Sequence, residues 1–211
     1  MVAFPRSDLF TLCNVASCSF WPMMRQEMSR SANGRTQGKD LGDPLWEGAF
    51  TTAPMRIAQA GEIEMALLSL HGVVHSFEAH DVRRPFPLAH QDGNFDDVSL
   101  IHDFGTDQKS LRLSGLPQGF TLSIGDYLAF DYGAEPNRAL HRVATPAVAG
   151  AGGITPLFEV FPHILPGAAV GASVTLKRAS CIMQLKPGLQ PPVAAGMINQ
   201  TLTFSGTQLI L

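Results

Sequence analysis

SLRLSGLPQGFTLSIGDYLAFDYGAEPNRALHRV, residues 110–143, decides the fold. Its apolar residues fall in short runs of rough period two, and Gly, Pro or Asn separates the runs. The pattern continues through LFEVFP at 157–162, VTLK at 174–177 and CIMQL at 181–185. Short alternating strands at near-regular spacing, with turn residues between them, predict an all-β barrel or sandwich. No catalytic motif interrupts the series.

Working outward, residues 54–71 carry the one helical pattern. Ile57, Ala60, Ile63, Leu67 and Leu70 recur at helical spacing, and Met65, Ala66 and Leu68 widen the stripe. Gly72 is the expected stop. Gly61 weakens the helix by roughly 1 kcal/mol relative to Ala. A strand over 45–52 precedes the helix, with Trp46, Gly48, Phe50 and Thr52 sharing one face and Trp46 in the core. A strand over 73–80 follows it. Nearer the N-terminus, residues 9–15 and 17–28 read as strand-like. Pro22 confines the second piece to a sheet edge or a bulge. Past an extended linker at 188–192, residues 197–204 alternate again and should return to pair with the N-terminal strands. The apolar end at 207–211 packs on its own core or meets a neighbour.

The expected architecture is therefore mainly β. A β-sandwich from residues 1–107 with 188–211 carries the helix at 54–71, and a β-barrel-like domain occupies 108–187.

Only 16% of the 211 residues are charged against 45% hydrophobic. Charge is scarcer than in a typical globular domain, so part of the surface is either covered by other chains or polar but uncharged. The net charge of −3 offers no basic field for nucleic acid. No apolar run reaches the roughly 20 residues that span a bilayer, and the N-terminus lacks a signal-peptide pattern. Cys13, Cys18 and Cys181 cannot all pair within the chain, and reduced, partly buried thiols are expected.

Catalytic and metal-binding patterns fail on their spacing. There is no Gly-x-Ser-x-Gly and no His-Glu-x-x-His. His71 and His75 are four apart, but Gly72 ends the helix between them. Glu62 and Glu64 point to different sides of the helix. Asp92-Gly93-Asn94 lacks the remainder of a calcium loop. The glycines at 150–153 lack the Lys-Ser/Thr of a phosphate loop and read as a hairpin tip. Cys181 and His163 have no local setting for a nucleophile–base pair. We expect no enzyme activity and no cofactor.

One stretch cannot build a core, and a second breaks regular structure. Residues 31–43 are polar and read as a long hairpin tip, disordered alone or ordered by a partner. Residues 81–97 form a second long loop.

Three segments together resemble the distal tail proteins of long-tailed bacteriophages, in the short form of phages with Gram-negative hosts. The first is Leu45-Trp46-Glu47-Gly48 leading into the helix through Ala60-Gly61-Glu62 to His71-Gly72. The second is Gly125-Asp126-Tyr127-Leu128-Ala129-Phe130. The third is Leu140-His141-Arg142-Val143, followed by Phe158-Glu159-Val160, Gly171-Ala172 and Cys181. The resemblance implies a structural virion protein at the distal end of the tail. Such proteins form a hexameric ring that joins the tail tube to the baseplate hub and often carries fibres. It carries over no catalytic residue. On this reading Ser31, Asn33, Arg35, Gln37, Lys39, Arg83, Arg84, Phe86, Leu209 and Leu211 are candidate inter-subunit contacts. A tail-tube or terminator subunit is the main alternative. A carbohydrate-binding β module is a weaker one, since the chain has only two Trp and two Tyr.

Overall fold

A computed structural model describes residues 3–133, 137–187, 193–195 and 199–210. The linker expected at 188–192 lies outside them. In chain order the elements are α1 (Leu9–Leu12), β1 (Val15–Arg30), β2 (Thr36–Thr52), β3 (Met55–Arg56), α2 (Ile57–Leu68) and β4 (Ser76–His80). Then follow β5 (Ser99–Phe104), β6 (Ser110–Ser114), β7 (Thr121–Leu122), β8 (Tyr127–Tyr132), β9 (Asn137–Val143) and β10 (Ala147–Val148). The last are β11 (Phe158–Phe161), β12 (Ser173–Thr175), β13 (Ser180–Leu185), β14 (Val193–Ala195), β15 (Asn199–Thr201) and β16 (Thr203–Gln208).

The fold is mainly β, with 47% strand and 10% helix. A five-stranded sheet runs β1-β2-β16-β13-β4, and six strands close a barrel in the order β11-β6-β5-β12-β8-β9. The second sheet expected of a sandwich is reduced to the short β14-β15-β3. The expected division of the chain at 107/108 and 187/188 misplaces two strands. β5 pairs with β6 and β12 in the barrel, whereas β13 pairs with β4 and β16 in the open sheet. Alternation specifies a strand but not which sheet receives it, so the boundary was not readable from pattern.

The two parts share a wall. β8 is buried on both faces. Leu128 and Phe130 point into the barrel core with Leu111, Leu113 and Val174. Tyr127 and Ala129 point out, joining Leu140 of β9, Trp46 and Phe20 in the core beneath the open sheet. Trp46 is fully buried, and its Nε1 donates to the Leu140 carbonyl at 2.7 Å. The indole thus bolts sheet to barrel. The inward face Trp46, Gly48, Phe50 and Thr52 is as expected. So is the return of the C-terminal strand, with β16 lying antiparallel on β2.

Local differences have local reasons. Residues 9–12 form one helical turn, not a strand, because Leu9 and Cys13, four apart, both drop into the core. The helix expected over 54–71 is shorter, because Met55 and Arg56 pair with β15 instead. After Leu68 the chain turns through His71 and Gly72, both at positive φ, so β4 begins at Ser76 and not at 73. Met65 and Leu68 do not widen the buried stripe; they are 64% and 50% exposed. Residues 36–43 are not a loop. They pair with β1 out to Arg30↔Thr36, leaving only a short tip. The turn at 150–153 lies where expected between β9 and β11, but β10 leaves that connection to pair with β7.

Candidate assembly surface

Beyond the Met23↔Leu45 pair, β1 and β2 leave the sheet as a two-stranded ribbon. Every residue from Met23 to Gly42 is exposed on it. A register shift between Met23 and Gln26 bends the ribbon at its root. Its tip is tied locally. Ser31 Oγ donates to the Arg35 carbonyl at 2.8 Å, the Arg35 amide donates to Asn33 Oδ1 at 3.2 Å, and Gly34 takes the positive φ. Gln37 faces Ser29 and Lys39 faces Glu27 across the strands. Five of the expected contact residues, Ser31, Asn33, Arg35, Gln37 and Lys39, therefore stand together on one projecting element.

The others lie elsewhere. Arg83 clamps Asp81, Nε to Oδ1 at 2.9 Å and Nη2 to Oδ2 at 2.8 Å. Asp81 is buried and also accepts from Tyr127 Oη and Cys18 Sγ. Burial pushes its carboxyl upward, but these donors, Arg83 first among them, hold it below the usual range. Arg84 donates to the Ile124 carbonyl at 3.2 Å and lies 4.0 Å from the buried Asp126. Phe86 is half-buried beneath Gly93. These side chains anchor the 81–97 loop to the fold. Asp126 secures it further by accepting from the Leu88 and Ser123 amides at 2.9 and 2.7 Å. Leu209 is half-buried, and its amide donates to the Ile182 carbonyl at 2.9 Å. Leu211 lies outside the described residues.

Sequence reasoning missed the exposed apolar side chains along the ribbon and at its root. Trp21 is 63% exposed and Met28 72%, with Met23, Met24 and Leu41 also in solvent. The Arg142 guanidinium stands 6.0 Å from the Trp21 ring and 5.2 Å from that of Tyr127. The signal was Pro22. A proline fits an edge strand, and in an edge strand of period two its neighbour Trp21 takes the outer face. β1 is indeed the free edge of the open sheet. The opposite edge, β4, is closed by the N-terminal arm: the Arg6 amide donates to Ser76 O at 3.0 Å, and the Glu78 amide to Arg6 O at 2.9 Å.

Cys181 is buried, which pushes its thiol far up, and Cys13 is pushed up to about 12 for the same reason. His163 is exposed. The His71 and His75 rings do approach, to 5.9 Å, because the left-handed turn folds the chain back; His75 stacks on Phe4. Among the described residues no group of three His, Cys, Asp or Glu is placed to hold a metal. No helix of the described residues is long and apolar enough to cross a membrane.

No family model matches this chain, and no curated protein matches it with significance.

Proposed function

We propose that this chain is a structural ring subunit of a long-tailed bacteriophage, a distal tail protein joining the tail tube to the baseplate hub. One observation carries the reading. The β1–β2 ribbon is long, paired and solvent-exposed on both faces, and it continues from the free sheet edge. A two-stranded ribbon without a covering layer is marginal in water; Pro22 and the bulge blunt part of the free edge it continues from, and another chain can pair along the remainder. Heterologous contacts that close by rotation cover such an edge on every copy. The exposed Trp21, with Arg142 beside it, supplies the aromatic and arginine anchors that interfaces favour. The sequence resemblance to distal tail proteins supports the particular place in the virion.

The test is mass in solution by light scattering, then negative-stain imaging, on the full chain and on a variant with residues 27–39 replaced by a two-residue turn. The expected result is a ring, six-fold by the resemblance, that the deletion reduces to monomers. A full chain that stays monomeric at its highest soluble concentration, unaffected by the deletion, overturns the reading. Stacked rings growing into tubes would favour the tail-tube alternative.

A further inference from the structure

A cavity of about 630 Å³ lies away from the ribbon, between α1, the β4–β13 pair and the β12–β13 turn. Its floor carries Glu78, His80 and Ser180. Ser180 Oγ already donates to Glu78 Oε2 at 3.2 Å, so the one acid is engaged. On the rim stands Arg178, whose guanidinium makes no hydrogen bond or ion pair among the described residues. The side chains of Ser7, Thr11, Asn14 and Gln59, which also line the cavity, are equally unengaged. Phe10, Val82 and Pro85 provide an apolar wall.

The backbone of Arg178 adds an independent observation. It sits at φ +49°, in the left-handed region that favours glycine. The turn itself needs only a backbone group there, since the Arg178 amide donates to the Pro85 carbonyl at 2.6 Å. A long cationic side chain is thus held, against conformational preference, at the mouth of a cavity lined with free donors. Residues in such sparsely populated backbone regions cluster at active sites and ligand clamps, and Asn14, at φ +35°, lines the same cavity.

We propose that this cavity seats a carboxylate-bearing peptide segment of a partner protein, with the Arg178 guanidinium gripping the acid. One guanidinium balances one carboxylate and matches its planar geometry. Glu78, the one acid of the lining, repels any anion, a phosphate dianion about twice as strongly as a carboxylate, and no second cation of the lining offsets the extra charge. The apolar wall takes the aliphatic part of the segment, while Asn14 and Gln59 offer amides to its backbone. His80 reports on the site. Burial first, and then the charge of Arg178, lower its imidazole to about 4, against the opposing pull of Asp81. A carboxylate placed beside it reverses the second effect and raises that value.

The experiment follows the His80 ring resonances by NMR while the full chain is titrated with acetyl-Ala-Glu-Ala-amide, acetyl-Ala-Gln-Ala-amide or inorganic phosphate. The expected result is a saturable shift with the glutamate peptide, binding at least about tenfold tighter than the glutamine peptide, as a charge-assisted pair demands. Arg178→Gly should keep or raise the melting temperature, because glycine suits that φ, yet abolish the preference for glutamate. Equal binding of the two peptides, saturation by phosphate but not peptide, no saturable shift, or an undiminished preference in Arg178→Gly would each overturn the proposal.

Discussion

The outer half of the β1–β2 hairpin and the β8–β9 wall are built from the same antiparallel pairing, yet their surroundings are opposite. Tyr127 to Phe130 are buried without a break, whereas every residue from Met23 to Arg30 is exposed. Backbone hydrogen bonds net little over those made to water, so pairing alone does not secure a strand. Apolar burial does, and of these two regions only the wall has it, contributing to both core clusters. The wall therefore adds to the stability of the chain, and the ribbon is free to be specified by what it meets.

The largest effect expected from breaking this contrast is at Trp46. Trp46→Ala empties the bolt between sheet and barrel and orphans the Leu140 carbonyl, costing about 3–5 kcal/mol in urea unfolding. A cost near that of a surface change would mean the wall is not shared.

Next comes pH. His141 lies buried in β9, stacked on Phe130, with Nδ1 2.8 Å from the Pro162 carbonyl and Nε2 unpartnered. Burial lowers it from 6.5 to about 4, with the Pro162 bond opposing. A depressed histidine keeps its full stabilisation above its unfolded value and loses it as pH falls. Between pH 6.5 and 4 this amounts to about 3 kcal/mol. Burial of Asp126 raises its carboxyl and works in the opposite direction. Unfolding curves across that window should show the net loss, to which His80, also lowered to about 4, contributes in the same direction; His141→Gln should remove about half of the histidine share of the slope, and an unchanged slope in the variant would assign the acid sensitivity elsewhere.

Asp126→Ala leaves the Leu88 and Ser123 amides, both in part-buried hydrogen bonds, without acceptors. About 2 kcal/mol should be lost, and hydrogen exchange in residues 81–97 should rise. Unchanged protection there would show that Arg83 and Phe86 hold the loop without it.

The smallest stability effects belong to the ribbon. Met28→Ala or Lys39→Ala should change the unfolding free energy of the dissociated chain by no more than about 0.5 kcal/mol, while Trp21→Ala weakens assembly in light scattering. Equal loss of stability and assembly would erase the distinction between the two regions.

What the sequence by itself determined is the β class, the strand–helix–strand around Trp46, the return of the last strand and the polar hairpin. Each rests on local period and turn chemistry, which act over a few residues. Five of the ten candidate contact residues came together because they are contiguous in sequence on that hairpin. The tertiary structure alone decided that β5 belongs to the barrel and β13 to the open sheet, that Arg84 reaches the buried Asp126, and that Met65 and Leu68 face solvent. Those outcomes depend on partners far along the chain. An apolar residue at helical spacing reads the same on a covered face as on a bare one, and a carboxylate 42 residues from its arginine, as Asp126 is from Arg84, leaves no mark in the local pattern.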